Sequence, residues 1–220
     1  MMVDSTNYNM NLKEKMEQIY RTEPPDKIPW NITHPPQQLE ELVEEGKVMP
    51  CKAIDLGCGI GNYAIWLAQK GFEMSGIDFS ESAVKLASKK AQQEDLNCNF
   101  FVGDLTDKNF SLNSKYEFAY DWEVLHHIFP EDRDIYFKNV VNLLYKGSIY
   151  FSACFSEMDK EFGGEGKYRT TPMETTLYFS SETEIKRLLE PYFEIESLTT
   201  TEIAGKYGSH AAVVALATKK

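Results

Sequence analysis

A short apolar run, Ala53 to Leu56, breaks into a turn containing Gly57, Gly59 and Gly61 and resumes as a helix-like stretch over Tyr63, Ala64, Ile65, Trp66, Leu67 and Ala68. This strand, turn and helix constrain the fold more than any other feature of the chain. Glycines at such a turn let the backbone come close to a ligand at the carboxyl end of a sheet. The spacing then narrows the ligand. A loop that seats a pyrophosphate follows G-x-G-x-x-G, whereas this one reads G-x-G-x-G with Asp55 just ahead of it. A carboxylate at that place disfavours a phosphate and favours a cation. S-adenosylmethionine (SAM) has an ammonium, a sulfonium and no phosphate, so the turn argues for SAM over NAD.

The signals that follow arrive in order. Phe72 to Asp78 reads as a second strand ending in an acid, about 20 residues past the glycine turn, where a carboxylate accepts from ribose hydroxyls. Ser80 reads as an N-cap for a helix through Ala83, Val84, Leu86 and Ala87. Asn99 to Asp104 reads as a third strand ending in an acid, suited to an adenine amino group, and Tyr116 to Asp121 as a fourth. Any one of these acids alone reads as a solvated loop carboxylate. Three of them at βαβ intervals indicate a doubly wound, mostly parallel α/β sheet with its ligand crevice at the strands' carboxyl ends.

The text IDLGCGIGNYAIWLA, GIDFSESAV, FVGDLTD, YDWEVLHHI and LLYKGSIYF, over roughly residues 50 to 155, resembles the class I SAM-dependent methyltransferases. The resemblance implies a Rossmann-like seven-stranded sheet with an antiparallel last strand and helices on both faces. It implies that Asp55, Gly57, Gly59 and Gly61 hold the methionine part of SAM, that Asp78 binds the ribose, that Asp104 and Leu105 flank the adenine, and that Asp121 and Trp122 border the methionine and the methyl group. Asn62 and Phe79 join this cofactor set. Ile28-Pro-Trp30 and Pro35-Pro36 are similar to the thiopurine and halide/thiol methyltransferase branch, where such a segment closes over SAM and a tryptophan, here Trp30, packs near it. That branch usually has a Gly-Arg-Pro-like run where this chain has Ile32 to Pro36, and Asp-Arg where it has Asp121-Trp122.

The 220 residues suffice for one domain with a full core, and 42% hydrophobic and 26% charged residues fit a globular protein. The domain is expected to divide into an N-terminal helical lid (1–46), a SAM-binding core (50–155), a substrate-side loop (156–180) and a C-terminal helix with strands (181–220), acting as a monomer or homodimer. No apolar run approaches a membrane span and the first residues are too polar for a signal peptide, so the cytoplasm is the expected compartment and no membrane partner is expected. A net charge of −11 opposes binding to nucleic acid. The four cysteines have no metal or disulfide spacing and read as reduced thiols; no metal site is expected.

Residues 1 to 10 are polar and are expected to fray. Leu12, Met16, Ile19 and Tyr20 have helical spacing up to Pro24-Pro25, and a second helix carries Leu39, Leu42 and Val43 with Gly46 as its stop. Together these helices are expected to form the lid, with Tyr20, Trp30 and His34 walling the pocket. Asp132 to Leu144 reads as a helix closing on Gly147, and Ser148 to Ala153 as a fifth strand. The irregular stretch Glu157 to Phe179 is too long for a plain connector and interleaves aromatics with an arginine, which suggests a flap contacting substrate through Tyr168 and Arg169. Ser181-x-x-Glu184 is a capping box for the last helix, and two strands follow.

Methyl transfer needs a positioned nucleophile and excluded water, with a base only where the nucleophile must lose a proton. His126 and His127 follow the fourth strand; His126 is the candidate catalytic base and His127 a substrate contact, while His210 is a further substrate-side candidate. The bland reading has one of the pair packing the turn, since adjacent histidines point differently. The expected function is SAM-dependent methyl transfer to a small-molecule thiol, halide or metalloid. The alternatives are an O- or N-methyltransferase using His126, a SAM-binding protein without turnover, and an NAD-linked oxidoreductase.

Overall fold

A computed structural model describes residues 5–220 of the chain, with side chains from residue 12 onward. Two helices come first, α1 (Ser5–Thr22) and α2 (Gln37–Glu44). The glycine turn joins β1 (Lys52–Leu56) to α3 (Asn62–Gln69), as its sequence predicts. β2 (Glu73–Asp78), α4 (Glu81–Gln93), β3 (Asn99–Val102) and β4 (Tyr116–Trp122) continue the alternation. Then follow α5 (Pro130–Leu143), β5 (Leu144–Phe155), a small hairpin of β6 (Tyr168–Thr170) and β7 (Thr176–Tyr178), α6 (Glu182–Leu189), β8 (Phe193–Ala204) and β9 (Ser209–Lys219).

The main sheet has seven strands in the order β3-β2-β1-β4-β5-β9-β8. β3, β2, β1, β4 and β5 pair in parallel, and β9 runs antiparallel to both β5 and β8. The chain order reverses between β1 and β4, which opens a crevice at their carboxyl ends. β1 and β4 are buried almost throughout, as central parallel strands covered on both faces must be. α5 and α6 pack Tyr136, Phe137, Val140, Ile185 and Leu189 into the core on one face. α2 and α3 pack Leu39, Leu42, Ala64 and Leu67 into the core on the other.

Several expectations need correction. α2 belongs to this second core and not to a lid, because its apolar face of Leu39 and Leu42 finds the sheet. Of the stretch expected to fray, residues 1–4 lie outside the described residues and the backbone is helical from Ser5. β5 begins directly after α5, and Gly147, expected as a helix stop, sits inside the strand with φ +83° where the pairing with β4 slips between Tyr116 and Phe118. Part of the expected flap, residues 168–178, forms the β6–β7 hairpin, and turns precede it. The Ser80 cap and the Ser181–Glu184 capping box both form. Among the described residues no helix is long and apolar enough to cross a membrane.

Candidate active site

The glycine turn crosses the carboxyl end of β1 with Gly57 and Gly59 at φ +78° and +51°. The N–H groups of Gly57 and Cys58 donate to the Ile77 carbonyl at 2.7 and 2.9 Å, and Gly59 N–H donates to Asp78 Oδ2 at 2.9 Å. A Cβ on Gly57 would stand 2.6 Å from Val124 Cγ2, and one on Gly59 would stand 2.9 Å from the Tyr20 hydroxyl. These two glycines therefore keep open the floor of a cavity, which Asp55, Asn62, Asp78, Phe79, Asp104, Leu105 and Trp122 also line. Gly61 does not line it. Its Cβ would meet Phe100 and Ala87 at 2.8 and 3.0 Å, so that glycine serves the packing of α3.

The roof comes from α1 and the segment after it. Leu12, Lys13, Met16 and Tyr20 of α1 line the cavity together with Trp30, Asn31 and Ile32. Polar ties hold the roof to the loops below. Lys13 Nζ donates to Asp104 Oδ2 at 2.6 Å, Ser80 and Ser82 hydroxyls donate to Glu17 at 2.5 and 2.6 Å, and Trp30 Nε1 donates to the Tyr20 hydroxyl at 2.8 Å. Asn62 Nδ2 donates to Asn31 Oδ1 and the Ile32 carbonyl at 2.6 and 2.8 Å. The N-terminal helix expected as a lid thus covers the cavity, while His34 is exposed and outside its wall.

Among the described residues, six acidic and basic side chains line the cavity: Asp55, Asp78, Asp104, Glu123 and Asp132 against Lys13. Burial pushes Asp55 up to about 8, against the lowering influence of the nearby Tyr120 hydroxyl, and Asp78 and Asp121 add to the rise. Burial likewise raises Asp78 to about 6, against the donated N–H groups of Ser80 and Gly59. Burial would raise Asp104 too, but Lys13 and Thr106 outweigh it and hold that carboxyl below its usual range. Glu123 rises to about 7 through burial. An acid kept protonated by burial ionises readily when a cation arrives, so this wall is built to receive positive charge.

The two histidines separate. His127 lines the cavity, and burial holds it down at about 4, so its imidazole is neutral. His126, expected as the base, turns away from the wall. Its ring stacks on Phe155 at 4.1 Å, its Nδ1 accepts from Phe155 N–H at 3.4 Å, and burial keeps it well below the ordinary histidine value. Asp121, expected beside the methyl group, is also outside the wall. It lies fully buried and accepts hydrogen bonds from Ser152 at 2.6 Å, Tyr136 at 2.7 Å and Tyr150. Trp122, its neighbour in β4, points to the opposite face of the sheet and reaches the cavity.

The expected flap contacts are corrected in the same way. Arg169 is buried, donates to the carbonyls of Asp159, Gly166, Glu157 and Glu161, and lies over the Phe179 ring at 4.0 Å. Tyr168 is exposed and packs against Phe129 and Tyr178. His210 sits 3.4 Å from Asp159 and among Phe155 and Phe162. None of the three lines the cavity. The hairpin instead braces the roof: Lys15 of α1 pairs with Glu174 at 2.7 Å, and Met173 packs in the cluster of Ile19, Tyr20 and Ile28.

Glu123, Lys13 and Tyr63 line the wall without being among the site residues expected from sequence. Glu123 carries a left-handed backbone, φ +61°, which no sequence pattern announces. Lys13 occupies a polar position of an amphipathic helix and reads as a solvated charge. Among the described residues no cluster of three His, Cys, Asp or Glu side chains is arranged to hold a metal ion.

A family described as a methyltransferase domain matches residues 53–147 of the chain. An uncharacterised methyltransferase of Schizosaccharomyces pombe is 30% identical over 119 residues, which are 54% of this chain and 81% of that protein. The chain belongs to the SAM-dependent methyltransferase family. The methyltransferase is also 26% identical over 199 residues, 88% of this chain and 82% of the relative, to the 2-heptyl-1-hydroxyquinolin-4(1H)-one methyltransferase of Mycobacteroides abscessus. Its fold is shared with the 1,6-didemethyltoxoflavin-N1-methyltransferase of Burkholderia thailandensis, with a TM-score of 0.74 at 15% identity, covering 100% of this chain and 92% of that one. SAM is the cofactor of the family, and the wall of this methyltransferase fits it: the glycine floor admits a close ligand, and the buried carboxylates accept a cation and hydroxyls.

Proposed function

We propose that this methyltransferase moves the methyl group of SAM to a small, uncharged molecule held under α1. In this reading Gly57, Gly59 and Asp55 face the methionine part of SAM, with Asp55 toward its positive charge. Asp78 and Phe79 face the ribose, and Asp104 with Leu105 the adenine. Trp30 and Trp122 close the site around the methyl group, and Asn62 locks the segment carrying Trp30 to α3. The cytoplasm remains the expected compartment, and a nucleic-acid acceptor remains disfavoured by the charge of −11.

The observation that carries this reading is the make-up of the wall, where the described residues set five carboxyls, able to ionise beside a cation, against one ammonium. It suits cationic SAM. It suits an anionic acceptor poorly, since a like charge about 4 Å away costs on the order of 4 kcal/mol at an effective dielectric of about 20. Of the thiol, halide or metalloid acceptors expected from sequence, those that react as anions, such as a halide or a thiolate, therefore fit less well than neutral O–H or N–H compounds. The relative that methylates a hydroxyquinolinone supports an acceptor of this size.

Calorimetric titration with S-adenosylhomocysteine (SAH), with NAD as control, tests the cofactor half. Binding of the first and not the second is expected; the reverse overturns the reading. Mass-spectrometric detection of methylated products from neutral hydroxylated aromatics, iodide and thiols tests the acceptor half.

A further inference from the structure

Glu123 and His127 line the cavity, and the cofactor roles above leave both without a task. Glu123 follows β4 in a left-handed conformation that side chains rarely adopt, and its N–H donates to the Ala153 carbonyl at 2.8 Å, which fixes it there. Such backbone strain persists where the surroundings enforce it, and it concentrates at active sites. Its Oε1 is out of solvent and has no hydrogen-bond partner among the described residues, and the same holds for His127 Nδ1. Buried polar atoms are almost always paired, so two orphans on one cavity wall point to a missing hydrogen-bond partner, which for the Glu123 oxygen is a donor. His127 is held in place by Arg133, whose guanidinium donates to the carbonyls of Leu125 and Ile128 at 3.0 and 2.8 Å on either side of it. Trp30 meets the His127 ring edge-on at 6.4 Å, and Tyr63 and Trp122 add flat walls.

We propose that Glu123 is the proton acceptor of the reaction and His127 the residue that orients the acceptor, which is then an uncharged planar molecule bearing a weakly acidic O–H or N–H. This rests on the methyl-transfer reading. The acceptor's oxygen or nitrogen forms a bond to the methyl carbon as the carbon–sulfur bond breaks. The electron pair of that bond stays on sulfur, which becomes the neutral thioether of SAH. The acceptor's proton passes to the Glu123 carboxylate, so the positive charge of the sulfonium and the negative charge of the carboxylate disappear together. A carboxyl raised toward neutrality by burial is well matched to this exchange. His127, held neutral and only weakly basic, serves as a hydrogen-bond partner.

The test is steady-state kinetics with 4-hydroxyquinoline as the protic probe and with iodide and thiophenol as probes lacking the matched O–H or N–H, alongside SAH titration of every variant. Methylation of 4-hydroxyquinoline in preference to both others is expected. Glu123→Gln should lower kcat on the order of 10² to 10⁴-fold while leaving KM and SAH affinity near wild type, and Glu123→Asp should restore part of the rate. His127→Phe should raise KM more than it lowers kcat. Preference for iodide or thiophenol, or a wild-type kcat in Glu123→Gln, overturns the proposal. So does SAH binding by the wild type without methylation or binding of 4-hydroxyquinoline. Failure of the wild type to bind SAH would instead strike the cofactor reading on which the proposal rests. Should Glu123→Gln lose SAH affinity through misfolding, binding of 4-hydroxyquinoline to the wild-type SAH complex decides.

Discussion

Asp78 does two things at once. It accepts from the Gly59 and Ser80 N–H groups, which sets the shape of the glycine turn and of the α4 start, and it presents a carboxylate to the cavity. Asp78→Ala should weaken SAH binding by about 1–3 kcal/mol through lost hydrogen bonds. Calorimetry checks this, and unchanged affinity would remove Asp78 from the proposed ribose contact. His126 is the opposite case. Its ring serves the aromatic stack with Phe155, so His126→Phe should leave kcat within a factor of about two, under about 0.5 kcal/mol in barrier. A hundredfold loss would return His126 to the chemistry. At this scale the sequence was informative about residue types and poor about direction. Gly57, Gly59, Asp55 and Asp78 were legible because a strand-to-helix turn leaves few places for them. Gly61 in the same motif, and Asp121 beside Trp122, went elsewhere for reasons set by Phe100 and by the pleat of β4.

Among the elements, the short 3-10 turn Leu125–His127 decides which histidine meets the cavity. Arg133 of α5 pins it through three donated hydrogen bonds, to Leu125, Ile128 and the Ser180 hydroxyl. Arg133→Met would take the Arg133 donor from the buried Ile128 carbonyl, at a cost of about 1–3 kcal/mol, and would strip one of the two donors from the Leu125 carbonyl, which keeps the Ile128 N–H. A total loss in that range is expected from urea unfolding, and a loss below about 0.5 kcal/mol would show that the turn holds itself. Helix α1 was legible as an amphipathic helix from Leu12, Met16, Ile19 and Tyr20, all of which are buried. The hairpin was not legible, because β6 and β7 are only three residues each and their spacing resembles an irregular loop. Its role as a brace for α1 depends on Glu174 and Met173, distant from α1 in sequence.

For the molecule as a whole, burial of ionisable groups links stability to pH. Asp55, Asp78 and Glu123 are raised to about 8, 6 and 7. Unfolded, they titrate near 4, so the native chain keeps protons that the unfolded chain has released. Their stabilising contribution is complete below about pH 4 and is lost as pH rises through the folded values, up to about pH 8. His126 and His127 are depressed, so their contribution is present above about pH 6.5 and lost as pH falls through about 4 for His127. Between pH 6.5 and 8 only the carboxyls act. The melting temperature of the cofactor-free protein should therefore fall across that window, and Asp55→Asn should flatten the slope. Thermal melts at constant ionic strength check it; a rising melting temperature would show that these acids are already ionised.

The sequence by itself determined the alternation of strands and helices, the glycine turn and the acids at the strand ends. Those follow from local rules, the period of apolar residues and the backbone freedom of glycine, which neighbouring residues enforce. The tertiary structure alone decided that His127 rather than His126 faces the cavity, that Asp121 and Arg169 are internal ties, that Lys13 meets Asp104, and that Glu123 Oε1, beside the site, has no hydrogen-bond partner among the described residues. The direction of a side chain and the partner it lacks depend on segments far apart in the chain, and only packing brings those together.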